Sequence, residues 1–509
     1  MRWRHTDADL YRQYEEAEER AEEWEKRAKE ERKLREWDAT SIRAEMRQEM
    51  AQMRKELEAQ IEGLTQENKE LKEKVELLEA DNKRLKSIIN NDSNNSSKPP
   101  SSDQKPTRKA NEYNGRKSSG KKRGGQEGRK GVTLTKEDAE ALIKSGSVKH
   151  EVIDINREPN GQRYISRYEY DLEIKAVVRE YRYYADENGR YGIPKDKCAV
   201  VWYGNTIRTM AVSLYSVGVM STERIQEMLN AMSGEVFHIS DGSVYHFIRG
   251  FSEKIEPELA EIENDLLNQE VMQTDATTVS TGGVQSYIRN FSTSRSVLYV
   301  GMDKKNLDNL KKIPVLAGFT GTLVHDHETA LYHFGGDHAE CNVHILRYLT
   351  KNTEDTANKW SEKMKSLLSR MNQQRKKLTM VNGEFTDAQV ACYEKQYRLI
   401  IASGRRQNQS TRPKWAREDE LKLLNRMEKY SKNHLLFLHR FDVPFDNNLS
   451  ERDLRKCKNR QKMSGGFGIK DGRDMFCRIL SFVETCKRRS LNVFLSILKV
   501  LCAHGSVLG

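Results

Sequence analysis

The sequence predicts a multidomain α+β protein with an N-terminal coiled coil and an α/β core among its parts. Three observations predict this class. Heptad-spaced apolar residues occupy much of the first ninety positions, a polar basic segment follows them, and short strand-like runs alternate with helical runs after residue 270. Because 509 residues exceed the size of one compact domain, we expect several structural units.

The composition favours a polyanionic partner. Lysine and arginine number 87 against 76 aspartates and glutamates, which gives a net charge of +11 and makes nucleic acid the first candidate. The seven cysteines include no C-x-x-C pair, which indicates reduced thiols rather than disulfides or a cysteine zinc site. Without an apolar run of membrane-spanning length or a secretory signal, we expect no membrane association and a protein that stays inside the cell.

Residues 8–90 predict a coiled coil, being dense in Glu, Lys, Arg and Leu and free of proline. The two core positions of the heptad are occupied by Ile61, Asn68, Val75, Asn82 and Ile89, and by Leu57, Leu64, Leu71, Leu78 and Leu85. Isoleucine, valine and two asparagines at the first position, with leucine at the second, favour a parallel dimer. The alternative is a long helix packed on its own protein.

Residues 91–132 predict a flexible basic linker, because a segment rich in Asn, Ser, Pro, Gly and Lys buries too little apolar surface to fold. Its cations cluster among glycines that let the backbone follow a phosphate strand closely. We predict that this cluster binds DNA; it consists of Lys121, Lys122, Arg123, Arg129 and Lys130. A solvated charge run is the alternative.

Two smaller units are predicted before the core. Residues 133–203 carry short alternating apolar and polar runs bounded by turns, which is typical of a small β-rich module. Residues 204–268 contain two helical runs around a glycine-containing break, with Ser240 or Asp241 as N-cap of the second. This helix-turn-helix pattern predicts a DNA-binding region that places its second helix in the major groove, although many helical hairpins bind nothing.

After residue 269 the pattern is three strands, a helix, a strand, a helix and a strand, and two carboxylates stand out in it. Asp275 lies within the first strand and Asp326 at the end of the fourth. This order resembles the ribonuclease-H-like fold of nucleases and transposases. Glu328 competes with Asp326, since it lies two residues away on the same side of a strand.

The third carboxylate is Glu451, in the run FDNNLSERDLRKCKNRQKM at a predicted helix start. The helix that follows has a basic side formed by Arg452, Arg455, Lys456, Lys458, Arg460 and Lys462. Carboxylates suit Mg²⁺-type ions, and two such ions can stabilise both the attacking and the leaving oxygen of a phosphodiester. We predict that Asp275, Asp326 and Glu451 hold metal while the basic side grips phosphate; the alternative is an ordinary charged surface helix.

Several histidines raise the alternative of a zinc site: His325, His327, His333, His338 and His344. His325 and His327 flank Asp326 on the predicted strand and are expected on the face opposite its carboxylate. Since no cysteine pair completes a tetrahedral shell, we expect no zinc.

The long segment between Asp326 and Glu451 contains three runs of helical periodicity. We therefore predict a helical insertion over residues 350–440, which interrupts a core formed by residues 269–349 and 441–500. The insertion is expected to shape a DNA channel, to contact DNA, or only to pack.

The sequence resembles transposases of the insertion-sequence-66 (IS66) family over nearly its whole length. The resemblance is carried, in order, by NSSKPPSSD, GGQEGRKG, the strand with Asp275, HDHETALYHFG, CNVHILRYL and DNNLSERDLR. It implies that Asp275, Asp326 and Glu451 are the Asp-Asp-Glu triad of a ribonuclease-H-like catalytic core. His344 and Arg347 match residues that support such a site.

The resemblance also implies an activity and partners. Such an enzyme binds the terminal inverted repeats of a transposon, cleaves at the ends and joins the 3′-hydroxyl to target DNA, using Mg²⁺ with Mn²⁺ as a substitute. It implies a bacterial cytosolic protein that associates with the nucleoid on DNA, pairs with itself and has accessory proteins from the same element. The rival interpretations are a catalytically silent helix-turn-helix regulator derived from a transposase and a structural coiled-coil protein.

The sequence departs from the family in two places. Residues 148–203 contain only Cys198 where the family commonly has a cysteine-rich zinc module, so no structural zinc is expected there. Glu127 and Arg129 stand where the family usually has Pro and His.

Overall fold

A computed structural model describes residues 5–34, 39–89, 135–153, 165–170, 174–194, 199–236, 238–502 and 507–508. Within these ranges the protein is mixed α+β, mostly helical, with one five-stranded sheet. The chain divides near residue 91 into two units. Among the described helices, none combines the length and apolarity needed to cross a membrane. The predicted linker and its basic cluster lie outside the described residues.

The N-terminal unit consists of two helices, α1 (His5–Leu34) and α2 (Ala39–Ile89). Their solvent-facing side chains form hydrogen bonds one helical turn apart, as between Gln52 and Glu56 at 3.0 Å. Within this polar helix, Leu71, Leu78 and Leu85 of the predicted heptad are exposed in the single chain. An apolar stripe on α2 is therefore left without a cover from its own unit.

Between the N-terminal unit and the sheet, the described residues form five helices: α3 (Lys136–Lys144), α4 (Asn205–Ser216), α5 (Thr222–Met232), α6 (Asp241–Lys254) and α7 (Glu256–Leu267). Helix α6 begins as the sequence predicts, with the Ser240 side chain accepting a hydrogen bond from the Ser243 N–H. The Asn230 side chain pairs with both backbone groups of Ile239, which fixes the connection between α5 and α6.

The predicted β-rich module finds no support in the described parts of residues 133–203. These parts contain α3 and one isolated bridge between Ala185 and Tyr191, and no strand. Apolar residues of the alternating runs, such as Ile174 and Val178, remain exposed. Alternation predicts a strand only where a partner surface covers one face, and here the apolar face has no such cover.

The sheet contains β1 (Val271–Thr281), β2 (Val284–Ser292), β3 (Val297–Met302), β4 (Thr322–His325) and β5 (Asp337–Glu340). Its order is β3-β2-β1-β4-β5; the pairs β1/β2 and β2/β3 are antiparallel, and the pairs β1/β4 and β4/β5 are parallel. Gly282 and Gly283, both at positive φ, form the two-residue turn between β1 and β2. The strands predicted around Asp275 and before Asp326 are thus present.

The remaining helices surround the sheet or form the long connection between β5 and the C-terminal helices. They are α8 (Leu307–Leu310), α9 (Pro314–Gly318), α10 (Asn342–Thr356), α11 (Lys359–Met380), α12 (Asp387–Asn408), α13 (Lys414–Lys429), α14 (Ser431–His439), α15 (Asn448–Asp453), α16 (Arg455–Ser464), α17 (Lys470–Arg488) and α18 (Val493–Cys502). A 3-10 turn, Thr329–His333, follows Asp326.

One apolar core is shared by helices α4 to α7, the sheet and α17. Phe251 of α6 packs edge-on against Phe482 of α17, with ring centroids 5.7 Å apart. Helix α17 also covers the edge strand β3, because Ser481 and Thr485 hydroxyls accept hydrogen bonds from the backbone N–H groups of Tyr299 and Val297. The edge of the sheet is therefore closed by side chains of a helix.

Helices α11 to α14 occupy the range of the predicted insertion and have their own apolar core, which includes the fully buried Trp360 and Tyr397. Beside this core lies the buried carboxylate of Glu420, and the hydrogen bonds it accepts from the described residues all come from neutral groups: Asn352, Asn358, Trp360, Asn408 and Thr411. Burial alone would raise the pKa of Glu420, but these hydrogen bonds outweigh it and lower the pKa.

Replacing Glu420 by Gln is expected to destabilise the protein by about 3 kcal/mol at neutral pH. The glutamine N–H₂ would face hydrogen-bond donors, and the surrounding donors would lose a charged acceptor. The difference from wild type should shrink as the pH falls below 4.5, the ordinary pKa of this group, since a carboxylate with a lowered native pKa loses its contribution on protonation. Urea denaturation measures both effects. Asp419→Asn, on the exposed side of α13, is the control and should change stability by less than about 0.5 kcal/mol; equal losses in the two variants would contradict this role of Glu420.

Candidate active site

Two of the predicted carboxylates lie on neighbouring parallel strands, Asp275 within β1 and Asp326 directly after the end of β4. Strand β1 pairs with β4 in a register that aligns Val271 with Thr322 and Gln273 with Val324. Continuing that register by two residues aligns Asp275 with Asp326, and neighbouring strands are about 4.8 Å apart. Burial raises the pKa of Asp275 and the charge of Asp326 adds to this rise, which places the two carboxylates within electrostatic reach of each other.

The third carboxylate is held against the same strands by neutral hydrogen bonds. The Asn447 side chain donates to the carbonyl of Thr274 at 2.9 Å. Ser450 and Asn290 form a reciprocal pair, in which the Ser450 hydroxyl donates to Asn290 Oδ1 at 2.6 Å and Asn290 Nδ2 donates to the Ser450 carbonyl at 3.0 Å. These bonds attach the first turn of α15 to the residues flanking Asp275, and Glu451 follows Ser450 directly.

The imidazole of His344 lies between two of these carboxylates. Its Nε2 is 3.8 Å from Asp326 Oδ2, and its Nδ1 is 3.8 Å from Glu451 Oε1. Arg347, one turn further along α10, donates from Nη1 to His344 Nε2 at 3.1 Å. Burial lowers the pKa of His344 to about 4, so the ring is neutral and accepts the arginine hydrogen bond.

The cluster is electrostatically costly. Burial raises the pKa of Glu451 to about 6, with Asp275, Asp446 and Asp326 adding to the rise and Arg347 opposing it. Burial likewise raises the pKa of Asp275, opposed by the Ala276 N–H, Lys305 and Arg289. Glu451 Oε1 is buried and has no hydrogen-bond donor, so the site combines repelling carboxylates with an unsatisfied acceptor oxygen.

The structure separates Asp326 from its competitor Glu328. The Glu328 carboxylate forms a two-pronged ion pair with Arg289 of β2, whose Nη2 lies 2.7 and 2.6 Å from its oxygens. The Arg289 side chain is fully buried, and its Nη1 also donates to the Thr274 hydroxyl at 3.2 Å. Glu328 is therefore committed to a buried cation, whereas Asp326 faces His344.

A second committed carboxylate, Glu340 of β5, escaped the sequence analysis. It is buried and accepts hydrogen bonds from His327, Tyr332, Arg426 and His434. Arg426 also lies 3.9 Å from Asp326 Oδ1. Since Arg426 is on α13, far along the chain, no local pattern in the sequence links it to this strand.

The histidines near Asp326 are engaged in contacts with one another and with this network. His325 ends β4, and its Nε2 is 3.1 Å from His338 Nδ1. His327 lies beyond the end of the strand, with its Nδ1 2.7 Å from Glu340 Oε1. Both rings pack against Tyr332. Strand alternation, on which the predicted orientation of His327 rested, therefore ends at His325.

Cys341 is a further neighbour that sequence reasoning passed over. Its sulfur, His344 and Glu451 have potential ligand atoms within 4.8 Å of one another. Burial raises the pKa of the Cys341 thiol well above its ordinary value, and its sulfur accepts a hydrogen bond from the Asn447 N–H at 3.3 Å. Sulfur is a soft ligand that suits ions such as zinc, whereas carboxylate oxygens suit Mg²⁺, so the carboxylates are the better ligand set for Mg²⁺. The C-x-x-H spacing before Arg347 was the available signal.

The predicted basic side is only partly available to a ligand. Arg452 and Arg455 are exposed, and Lys456 and Lys458 are half-buried. Arg460, by contrast, is buried: it donates to the Met220 carbonyl at 2.6 Å and lies over the Tyr215 ring at 4.8 Å. The prediction that Arg460 belongs to an exposed basic side is therefore wrong, because aromatic rings of the core cover that face of α16.

An exposed cation, Lys305, lies beside Asp275 and was not singled out from the sequence. Its ammonium is 3.4 Å from the carbonyl of Ala276, and its charge lowers the pKa of Asp275 against the larger effect of burial. An exposed lysine at the mouth of a carboxylate cluster is suited to meet an anionic ligand.

Two family models match the chain. A model described as the Transposase IS66 family matches residues 201–475, and a family of unknown function, DUF6444, matches residues 43–135. An uncharacterized protein y4jO from Sinorhizobium fredii (strain NBRC 101917 / NGR234) is 39% identical over 75 residues, which are 15% of this chain. This chain spans only 23% of that relative's length. The first match covers more than half of the chain and includes Asp275, Asp326 and Glu451.

Glu451→Gln is expected to stabilise the metal-free protein by on the order of 2 kcal/mol at pH 8. A carboxyl whose native pKa is raised from 4.5 to about 6 costs stability above that pH, at about 1.4 kcal/mol per pKa unit, and the cost disappears below pH 4.5. Thermal unfolding in EDTA at pH 8 and pH 5 measures it. Glu328→Gln is the contrast, since removing the partner of buried Arg289 should lower the melting temperature; shifts of the same sign in both variants would contradict the distinction.

Proposed function

Since the chain belongs to the transposase IS66 family, we propose that it cuts and joins DNA with divalent metal ions held by Asp275, Asp326 and Glu451. One observation carries the proposal: three segments remote in sequence bring three carboxylates together beside strands β1 and β4, and two of these carboxylates lie 3.8 Å from His344. The strand order β3-β2-β1-β4-β5, with carboxylates on β1 and after β4, supports a ribonuclease-H-like catalytic core.

The residues present fit Mg²⁺, with Mn²⁺ as a substitute. All three side chains offer hard oxygen ligands, and the buried Glu451 Oε1 lacks a donor that would compete with a cation. When bound, such ions activate water and then the freed 3′-hydroxyl for attack on a phosphodiester and stabilise the leaving oxygen. The alternative ligand set of Cys341, His344 and Glu451 is disfavoured for Mg²⁺ because sulfur and imidazole are softer ligands than carboxylate oxygens.

The surrounding residues keep these carboxylates in the ionised form that binds metal. Arg347 opposes the rise in the pKa of Glu451, and Lys305 opposes the rise in the pKa of Asp275. His344 is neutral because burial lowers its pKa to about 4, so it separates Asp326 from Glu451 without pairing with either as a cation. Its orientation is held by the hydrogen bond from Arg347.

The DNA backbone is proposed to pass the exposed cations next to the site. Arg452 and Arg455 directly follow Glu451 in the sequence and are exposed, so they can neutralise phosphates on either side of the cleaved bond. We propose that Lys456 and Lys458 also contact DNA phosphates, and that the linker cluster around Lys121 binds the DNA backbone without sequence preference.

Recognition of the terminal inverted repeats is proposed for α5 and α6 as a helix-turn-helix. Helix α6 begins at an N-cap and exposes His246 and Arg249, which a major groove can accept. The shared core with the sheet would then hold the recognised sequence at a constant distance from the carboxylates.

The heptad of α2 is proposed to pair two subunits, so that both transposon ends are held in one complex. The exposed leucines at the second core position support this, because an apolar stripe on an otherwise polar helix is stable in water only when a partner covers it. Accessory proteins of the same element are a further expectation from the family.

Asp275→Ala is expected to abolish cleavage and strand transfer while end binding stays unchanged, because the substitution removes a metal ligand from a surface that DNA contacts elsewhere. Cleavage of labelled end DNA in Mg²⁺, Mn²⁺ or EDTA and a mobility-shift assay measure the two properties. Asp308→Ala, an exposed aspartate on α8, is the control and should behave as wild type. Strand transfer by Asp275→Ala in Mg²⁺ would refute the assignment, and end binding without any cleavage by wild type would favour the silent regulator.

Leu78→Lys is expected to weaken dimerisation at least about tenfold, because it places a charge in the core of the coil. Leu77→Lys is a matched control, since Leu77 and Leu78 are 70% and 65% exposed in the single chain but only Leu78 lies in the heptad. Sedimentation equilibrium of the full chain distinguishes them. If both variants dimerise as wild type does, the α2 coil is not the dimer interface.

A further inference from the structure

The loop that carries Asp326 is enclosed by the helical insertion. At the corner between α13 and α14, the Tyr430 ring lies 4.8 Å from His327 and 4.9 Å from Tyr332. The Asn433 side chain donates to the carbonyl of His338 at 2.9 Å. The segment between β4 and β5 is therefore packed against the insertion rather than against the sheet alone.

Close to this corner, Arg426 of α13 reaches a proposed metal ligand. Its guanidinium donates to Glu340 Oε2 from Nε at 3.2 Å and from Nη2 at 2.7 Å. The same Nη2 lies 3.9 Å from Asp326 Oδ1, and the group is stacked over the Tyr348 ring at 5.1 Å. The side chain is 14% exposed, so its two contacts with carboxylates are little screened by water.

We propose that Arg426 is a positioning residue for the reaction, through which the insertion holds Asp326 in its ligating position. The inference rests on the proposed function of the carboxylates. It assigns the insertion a direct part in the active site, where the sequence left open whether this region contacts DNA or only packs.

Neutralising Glu340 does not by itself explain this arrangement. The Glu340 carboxylate already accepts hydrogen bonds from His327, Tyr332 and His434. Arg426 adds a fixed charge whose Nη2 bonds Glu340 and also lies 3.9 Å from Asp326 Oδ1. A planar guanidinium holds its nitrogens in a fixed geometry relative to two carboxylates, which an ammonium does not. Residues in this position around a metal ligand typically change metal affinity or activity ten- to hundredfold when replaced.

A set of four full-length variants separates positioning of Asp326 from support of the fold. Arg426→Gln removes the charge, and Arg426→Lys keeps it without the planar fork. The double variant Arg426→Gln/Glu340→Gln removes both charges of the buried pair and so relieves the uncompensated carboxylate. Arg405→Gln removes an insertion arginine from an exposed ion pair with Glu428 and is the matched control.

Three measurements are made on each variant: the melting temperature, Mn²⁺ binding to the DNA-free protein by calorimetry, and the Mn²⁺ dependence of end cleavage. Arg426→Gln should lose stability and weaken Mn²⁺ binding about ten- to hundredfold, and Arg426→Lys should lie between it and wild type. The double variant should regain melting temperature relative to Arg426→Gln but not Mn²⁺ affinity. Arg405→Gln should match wild type throughout.

Recovery of both stability and Mn²⁺ affinity in the double variant would overturn the inference, because Arg426 would then serve only to neutralise Glu340. Wild-type Mn²⁺ affinity in Arg426→Gln would overturn it as well. These outcomes differ from failure of the proposed function, which shows as absence of metal-dependent cleavage by the wild-type protein or as cleavage by Asp275→Ala.

Discussion

The proximity of Asp275, Asp326 and Glu451 is the constraint on which the rest of this core depends. Like charges in a half-buried site repel and lose hydration, so they approach only where other bonds hold their backbones. Those bonds are neutral: Asn447 binds the carbonyl before Asp275, and Ser450 is paired with Asn290. Amide and hydroxyl groups can do this without supplying a cation that would neutralise the carboxylates, which leaves their oxygens available.

Arginine pairing distinguishes the carboxylates near the end of β4 that are already bonded from the one that remains open to a ligand. Of the acidic side chains around the end of β4, Glu328 and Glu340 are each paired with an arginine at hydrogen-bond distance. Among the arginines that the structure describes, none is recorded closer than 3.9 Å to Asp326. The two paired carboxylates fix the loop, and Asp326 is the one that the proposed function uses. The arginine pairing of Glu328 distinguishes it from Asp326, whereas spacing along a predicted strand does not distinguish them.

Much of this fold follows from local patterns, whereas the site depends on contacts between remote segments. The Ser240 cap, the strands around Asp275 and Asp326 and the helices of the insertion arise from periodicity and capping, which act over a few residues. The burial of Arg460 against Tyr215 and the approach of Arg426 to Asp326 depend on how helices pack, and a cationic run looks the same whether rings cover one of its members or not. The alternating apolar and polar residues before residue 203 show that a local pattern is not sufficient, because the described parts of this segment contain no strand.

The geometry of the insertion explains how a long helical segment can separate two residues that must meet. Its ends are bonded to each other, because the Asn342 N–H donates to the Phe445 carbonyl at 3.1 Å and the Asn447 N–H donates to the Cys341 sulfur at 3.3 Å. The chain therefore leaves the core and returns to it at one point, and the cost of a longer excursion from such a closed base grows only slowly with length. The closure lies next to His344 and Glu451, since both have an atom within 4.8 Å of the Cys341 sulfur. A change in how the insertion packs at this base would therefore displace the His344 imidazole and the Glu451 carboxylate first. A charged side chain at position 341 would disturb both groups, whereas the cysteine there is small and uncharged.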